Sequence, residues 1–199
     1  MGVREHVSRS KVSPAHLVQF FDSDDTRHEA VAGFLAEGYH SGSALVLIAR
    51  PANTAAILDR LDEAGARTQR AIDCGRLTVL DATDTLRRTS RLGSPDAGRF
   101  GGVVGTVVTS MSRQGRVCAY AEMVDILAQR GDFGDAMVVE DLWNHLAGRF
   151  DLSVICGYAA AHFVSASAQN ALRDVCGAHA SVRVEPQDPL AAWLLQQAQ

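Results

Sequence analysis

Apolar and polar positions along the chain follow two different periods, which predict strands and helices in alternation. Continuous apolar runs of strand length are typical of strands that are buried on both faces of a parallel sheet. These runs predict strands over residues 16–21, 44–49, 76–80, 117–121 and 152–158, and an edge strand over 181–184.

Between these runs, apolar residues recur three and four positions apart, which predicts amphipathic helices. The predicted helices begin at Thr26 and end at Gly38 or Gly42, and then cover 53–64, 81–88, 100–114, 124–129, 135–150, 166–175 and 190–197. Residues 92–98 contain Gly and Pro and are predicted to form a loop. Strands that alternate with helices predict an α/β fold, a mainly parallel sheet flanked by helices on both faces.

The same pattern predicts one domain with two terminal extensions. Residues 1–14 are mostly polar and are expected to form a flexible arm. Residues 15–178 are expected to form the domain, and residues 179–199 an additional edge strand and a C-terminal helix.

Composition excludes several classes of partner. The net charge is −4 and the pI is about 5.9, and no basic patch with interleaved aromatic residues is present, so we expect no direct contact with nucleic acid. The chain shows no secretory leader and no run of 18 apolar residues, so we expect a cytoplasmic protein with no membrane contact. Four widely separated cysteines favour buried thiols in a reducing compartment over disulfides or a metal site.

No phosphate-binding loop is present. The first strand is followed by Asp22-Ser23-Asp24-Asp25-Thr26-Arg27, and neither G-x-x-x-x-G-K-[ST] nor G-x-G-x-x-G occurs in the chain. Three aspartates at the start of a helix would repel phosphate. The sequence therefore disfavours conventional nucleoside triphosphate hydrolysis.

Carboxylates stand at several predicted strand ends and helix starts. Glu122 follows the strand at 117–121, and ligands of open α/β sheets bind outside such carboxyl ends. Asp22, Asp81 and Glu140 are in comparable positions, and Asn144 shares a helix face with Glu140. Together they could bind a cation or perform acid–base chemistry; alternatively each is solvated or caps a helix, as Glu122 would cap the helix near Val124.

Histidine and cysteine spacing gives no local metal motif. No H-E-x-x-H and no histidine pair at ligand spacing on one helix is present, so no metal site and no cofactor are predicted. His16 and His162 adjoin core strands and are the histidines most suited to a site. Cys156 would act as a nucleophile only if it were exposed beside a base, and the apolar run around it predicts burial.

Six motifs in a fixed order give the chain a family resemblance. They are H-L-V-Q-F-F-D-S (16–23), F-L-A-E-G-Y-H-S-G-S-A-L-V-L-I-A (34–49), C-G-R-L-T-V-L-D-A (74–82), A-Y-A-E-M-V-D-I-L (119–127), A-M-V-V-E-D-L-W-N (136–144) and I-C-G-Y (155–158). Over roughly residues 15–165 the chain resembles the MEDS domain, a sensory domain of methanogen and methylotroph regulators that include a dichloromethane-responsive repressor. Residues that match recurring family positions are His16, Asp22, Glu122, Glu140, Asn144, Cys156 and Tyr158.

The resemblance implies a RecA/KaiC-like fold that has lost its phosphate loop, and a role in sensing hydrocarbon derivatives. We therefore expect a non-catalytic sensory domain that binds a small, apolar or hydrocarbon-derived ligand and signals through protein contacts. A shallow pocket at the strand ends would be lined by Phe20, Tyr120 and Tyr158, with Glu122 and His16 as polar groups. The expected ligand-binding set is His16, Phe20, Asp22, Tyr120, Glu122, Glu140, Asn144, Cys156 and Tyr158, and no catalytic residue is expected.

Two alternatives remain open. The chain could be a protein-interaction module, for example in a kinase or anti-sigma pathway, with an exposed apolar patch at Leu190, Trp193 and Leu194 that a regulatory protein or a second copy would cover. It could also retain hydrolase or transferase activity on a degenerate nucleotide-binding fold through Glu122 and Asp22.

Overall fold

The computed structural model describes residues 15–197 and contains a six-stranded sheet between two layers of helices. The six strands are Ala15–Phe21 (β1), Ala44–Ala49 (β2), Leu77–Asp81 (β3), Val117–Ala121 (β6), Leu152–Ala159 (β7) and Ser181–Arg183 (β8). Their order is β3-β2-β6-β7-β1-β8, and neighbouring strands are parallel. The predicted α/β fold, with a mainly parallel sheet flanked by helices, is confirmed; the predicted flexible arm, residues 1–14, lies outside the described residues.

Helices connect these strands. The α-helices are Asp24–His40 (α1), Pro51–Glu63 (α2), Thr68–Asp73 (α3), Ala82–Thr89 (α4), Ala97–Phe100 (α5), Thr106–Ser112 (α6), Met123–Arg130 (α7), Phe133–Ala147 (α8), Gln169–Gly177 (α9) and Pro189–Gln197 (α10). A π-helix covers Gly101–Gly105, and short 3₁₀ helices cover Ala160–Phe163 and Ala166–Ala168. None of the helices within residues 15–197 has both the length and the apolar character needed to cross a bilayer.

The two sheet faces carry different cores because successive strand residues point to opposite sides. On β2, Leu45 and Leu47 pack with α1, α2 and α3, whereas Val46 and Ile48 pack with the helices that follow β3. Every residue of β2 and β6 is buried. Burial on both faces explains why these strands are continuous apolar runs without alternation.

The segment predicted as a loop over residues 92–98 is more ordered than expected. Ser90–Arg91 (β4) and Ser94–Pro95 (β5) pair as a small antiparallel hairpin, and α5 begins at Ala97. Leu92 and Gly93 both have positive φ, which allows a tight turn of the kind that joins hairpin strands. The loop prediction is therefore wrong for most of this segment, and α3 was not predicted.

The C-terminal segment is part of the domain's core. β8 pairs with β1 as the predicted edge strand. Ala191 and Leu194 of α10 are buried among core residues, whereas Trp193 is 49% exposed. The predicted apolar patch is therefore wrong for Leu194, which packs inward.

Candidate functional site

The carboxyl edge of the sheet holds an arginine–carboxylate cluster, which we define as Arg27, Arg50, Asn53, Glu122, Asp125 and His162. Arg50 directly follows β2, and Glu122 directly follows β6. Because parallel strands end at one edge, residues distant in sequence meet there. The cluster was assembled by the fold and not by any local motif.

Glu122 is the centre of this cluster. Its carboxylate is fully buried and accepts hydrogen bonds from the Arg50 backbone N–H (2.8 Å), from Asn53 Nδ2 (2.6 Å) and from the Arg50 guanidinium. Arg27 donates through Nη1 at 3.4 Å to the same carboxylate and at 3.2 Å to the Tyr120 hydroxyl. Glu122 makes no capping hydrogen bond to α7. The alternative that Glu122 is a solvated helix cap is therefore wrong.

Asp125 joins α7 to the ends of β2 and β7. It accepts hydrogen bonds from Arg50 Nη1 (2.7 Å) and from the backbone N–H of Ala159 (2.6 Å), and His162 Nε2 lies 3.2 Å from its Oδ1. Burial acts to raise the pKa of Asp125, but the hydrogen bond with His162 and the charge of Arg27 outweigh burial and hold that pKa well below its usual range. Asp125 is therefore buried in its charged form, and the hydrogen bonds and the nearby arginine charge stabilise that charge.

A pocket of about 310 Å³ opens over this cluster. Its lining residues are Asp24, Arg27, Arg50, Ala52, Asn53, Asp125, Gln129, Ala159 and His162. The side chains of Arg50 and His162 are partly exposed, at 26% and 18%. The volume suits a small molecule, and most of the lining groups are hydrogen-bonding groups.

A second buried group, the histidine cluster, lies on the sheet face that packs against α8. We define it as His16 of β1, Glu140 of α8, Cys156 of β7 and His179, which follows α9. His16 Nε2 lies 3.0 Å from Glu140 Oε2 and 3.2 Å from Cys156 Sγ, and His179 Nε2 lies 3.2 Å from Glu140 Oε2. These side chains come from two strands, one helix and the segment between α9 and β8, and their donor atoms lie within 4.8 Å of one another.

Neighbouring groups orient the histidine cluster. His16 Nδ1 lies 2.9 Å from Asn144 Oδ1, and His179 Nδ1 lies 2.6 Å from the Val175 carbonyl. Tyr158 donates to Glu140 Oε1 at 2.6 Å. Both histidines and Glu140 are therefore each oriented by a hydrogen bond to a group outside the cluster.

Burial and hydrogen bonding shift the pKa values of Glu140 and Cys156 in opposite directions. Burial acts to raise the pKa of Glu140, but hydrogen bonds with His16 and His179 outweigh burial and lower the pKa to about 2. Burial, followed by the charge of Glu140, raises the pKa of the Cys156 thiol well above its ordinary value. Cys156 is fully buried, as the sequence predicted, and so is not placed as an exposed nucleophile.

The predicted ligand-binding residues divide among three places. His16, Glu140, Asn144, Cys156 and Tyr158 meet at the histidine cluster, and Phe20 stacks on Tyr158 with ring centroids 5.8 Å apart. Tyr120 and Glu122 belong to the other cluster. Asp22 stands apart and accepts the backbone N–H groups of Leu190 and Ala191 at the start of α10.

The aromatic rings do not line one shallow pocket. Phe20 and Tyr158 belong to the core on one face of the sheet and Tyr120 to the core on the other, and all three are buried. The reason is that successive side chains along a strand point to opposite faces of the sheet. A ligand-binding role for these residues stays a prediction.

Sequence reasoning missed several members of the two clusters: Arg27, Arg50, Asn53, Asp125 and His179. Two of them left a signal. Asp125 interrupts the apolar stretch M-V-D-I-L-A, and Arg27 stands four residues before Val31 on the buried face of α1. A charged residue on a buried face is rarely tolerated without a partner, so both positions indicate a buried ion pair.

The cysteines divide by exposure. All four are free; Cys118 and Cys156 are buried, whereas Cys74 is exposed and Cys176 is intermediate. The prediction of buried thiols is confirmed for the two strand cysteines and is wrong for Cys74, which lies in the turn after α3.

Comparison with known proteins assigns the chain to a family. The sequence profile of the MEDS family, described as MEthanogen/methylotroph, DcmR Sensory domain, matches residues 15–180. No curated protein and no solved structure shows significant similarity to the chain.

Proposed function

The chain belongs to the MEDS family of sensory-type domains, and from this premise we propose that it is a non-catalytic cytoplasmic sensor that binds a small molecule and signals through protein contacts. The observation that carries the proposal is the pocket over the arginine–carboxylate cluster, at the carboxyl edge of the sheet. This edge is where open α/β proteins bind ligands.

The lining of the pocket favours a particular ligand class. Arg50, His162 and Gln129 offer hydrogen-bonding groups at its surface, while Ala52 and Ala159 contribute small apolar contacts. We propose a small hydrocarbon derivative with a hydroxyl, carbonyl or carboxylate group, because such a molecule would use both kinds of contact. A ligand without a polar group would cover the exposed parts of these side chains without replacing their hydrogen bonds to water.

Signalling requires that the ligand favour one of two conformations. The pocket is lined from α1, from the start of α2, from α7 and from the segment after β7. Asp125 already bonds to the Ala159 N–H and to Arg50, so a ligand that changes this contact would move the end of β7 relative to α7. We propose this junction as the element that responds to the ligand.

The same geometry supports a non-catalytic role. Glu122 is fully buried and is held by Arg27, Arg50 and Asn53, which leaves its oxygens engaged as acceptors. A general base must reach a substrate proton at hydrogen-bond distance. A residual hydrolase would instead require Glu122 to leave these partners.

The proposal is tested first by native mass spectrometry of the purified full chain, compared with its mass after denaturation. A small molecule that is retained in the native state and lost on denaturation would support it and would give its mass. If the protein is isolated free of ligand, a set of small alcohols, aldehydes and carboxylates is screened by thermal shift.

The variant His162→Ala removes one lining side chain, and His145→Ala is the matched control because His145 is exposed on α8 and does not line the pocket. We expect ligand retention or the thermal shift to be lost in His162→Ala and kept in His145→Ala. Equal binding by both variants would contradict the assignment of the pocket. Turnover by the wild type that is absent from a folded Glu122→Gln variant would contradict the non-catalytic role.

A second candidate, protein interaction through the C-terminal segment, is favoured by one observation. Trp193 is 49% exposed on α10, and all three residues of the edge strand β8 are exposed. An edge strand presents unpaired backbone groups that another chain can use. This surface would also serve the sensor as the contact through which it signals to a regulatory protein or a second copy.

A further inference from the structure

In the histidine cluster, both ring nitrogens of each histidine face groups that can accept a hydrogen bond. His179 Nδ1 faces the Val175 carbonyl and its Nε2 faces Glu140 Oε2, so both ring nitrogens face acceptors. A neutral imidazole has one N–H, and only a charged imidazolium has two. His179 therefore bonds to both partners only as a cation, or it presents a lone pair toward Glu140.

His16 is in the same situation. Its Nδ1 faces Asn144 Oδ1, and the amide is oriented by Nδ2, which donates to the Ala178 carbonyl at 3.0 Å. His16 Nδ1 must therefore carry the proton, and Nε2 points to Glu140 Oε2 and Cys156 Sγ. Both histidines thus direct Nε2 to one place, with Nδ1–H held by an oxygen behind it.

Two protonated histidines would be an unfavourable solution. The His16 and His179 rings have centroids 4.2 Å apart, and their side chains are at most 2% exposed. Two imidazolium ions beside one carboxylate would leave a buried net charge, which is costly. A metal ion that binds Cys156 would displace its proton, and two neutral imidazoles, one carboxylate and one thiolate then have a total charge that a divalent cation balances.

We propose that His16 Nε2, His179 Nε2, Glu140 Oε2 and Cys156 Sγ bind a divalent transition metal ion, with zinc as the ion that the donor set fits best. These four donor atoms lie within 4.8 Å of one another. Metal–ligand bonds of about 2.0–2.3 Å in a tetrahedron give ligand–ligand distances of about 3.3–3.6 Å. Three of the donor–donor separations are 3.0–3.2 Å and the others are at most 4.8 Å, so shifts of about 1 Å or less would bring the donors to this geometry.

The contacts behind the ligands match what zinc sites require. Metal-bound histidines usually donate the other N–H to a carbonyl or carboxylate, and bound carboxylates are themselves hydrogen-bonded. Asn144, the Val175 carbonyl and the Tyr158 hydroxyl fill these roles. The four protein donors complete a tetrahedron, which is typical of a structural site and not of a catalytic one.

The site has a clear structural consequence. His16 and Cys156 belong to adjacent strands of the sheet, Glu140 to α8, and His179 to the link between α9 and β8. A metal ion would therefore fasten the C-terminal segment to the sheet. This proposal does not rest on the pocket, which shares no residue with the histidine cluster, so either proposal can fail without the other.

The test measures metal in the full chain produced in zinc-supplemented medium, by elemental analysis and native mass spectrometry. We expect about one zinc per chain in the wild type and in Cys118→Ser, and loss of zinc in Cys156→Ser. Cys118 is the matched control because it is also a buried strand thiol but lies in the core on the other face. Asn144→Ala should weaken zinc affinity about 10- to 100-fold while keeping all four ligands.

A second measurement keeps the proposal testable if Cys156→Ser does not fold. Wild-type protein is stripped with a chelator under denaturing conditions and refolded with cobalt(II). Tetrahedral d–d bands with a thiolate-to-cobalt charge-transfer band would support the site. Folded wild-type protein that takes up neither zinc nor cobalt, or zinc content that is equal in Cys156→Ser and Cys118→Ser, would overturn it.

Discussion

At Gly157 the main chain passes so close to the Tyr120 ring that no side chain fits. A Cβ there would lie 2.6 Å from the Tyr120 hydroxyl oxygen and 3.0 Å from Phe21 Cε2. Both rings are buried, so neither can move aside easily. We predict that Gly157→Ala lowers the free energy of unfolding by about 1–3 kcal/mol, measured by urea denaturation.

The control for this prediction is Gly33→Ala on α1. A Cβ at Gly33 would meet no atom within 4 Å, and Ala is favoured over Gly inside a helix by about 1 kcal/mol. This variant should therefore be more stable than the wild type. If Gly157→Ala were as stable as the wild type, the Tyr120 and Phe21 rings would be able to move aside without a loss of free energy.

Glu122 neutralises buried guanidinium charge, so its removal should destabilise the fold. Arg27 is 2% exposed, and in Glu122→Gln its guanidinium would lose one of its two buried carboxylate partners. We predict a loss of about 3–5 kcal/mol in the free energy of unfolding, since removal of one partner leaves buried charge uncompensated. Glu37→Gln, at an exposed position of α1, should change stability by less than about 0.5 kcal/mol. If Glu122→Gln and Glu37→Gln were equally stable, the arginine guanidinium groups would have to become hydrated in Glu122→Gln.

At the scale of elements, the junction between α7 and β7 should make stability depend on pH. The folded-state pKa of Asp125 is lowered, so its contribution is present above the unfolded value of about 4 and is lost as pH falls below it. We predict that the wild type loses more stability between pH 6 and pH 3 than Asp125→Asn does, as measured by urea denaturation. Asp141→Asn, an exposed change of the same charge, should keep the wild-type dependence.

The attachment of α10 depends on reciprocal capping by two aspartates. Asp22 accepts the N–H groups of Leu190 (2.7 Å) and Ala191 (2.8 Å), and Asp188 accepts the Asp22 N–H (3.0 Å). We predict that Asp22→Ala costs about 1–2 kcal/mol and raises hydrogen exchange selectively in α10. Asp24→Ala, two residues away, should leave exchange in α10 unchanged. Uniform exchange across the domain in Asp22→Ala would instead indicate a general loss of stability.

The strands and helices were largely predictable from the sequence, whereas the side-chain clusters that form between them were not. β2, β6 and β7 are unbroken apolar runs because both faces of each strand are buried, and that pattern is visible in the sequence. α3 has six residues, too few for a clear helical period. The family resemblance identified Glu140 and Cys156, but no local pattern places them beside His179. Strand order and the return of the chain after α9 bring the three together. Such contacts depend on topology, which local periodicity does not encode.

For the whole molecule, the exposed C-terminal surface predicts self-association. Trp193 is exposed on a helix whose other face is buried, and within residues 15–197 the edge strand β8 is paired on one side only. We predict that sedimentation velocity of the full chain shows a concentration-dependent dimer and that Trp193→Ser shifts it to monomer. Ile72→Ser is the matched control, because Ile72 is a similarly isolated exposed apolar residue on α3. A dimer that Ile72→Ser weakens as much as Trp193→Ser would place the interface elsewhere, and a monomer at every concentration would leave this surface to a different partner protein.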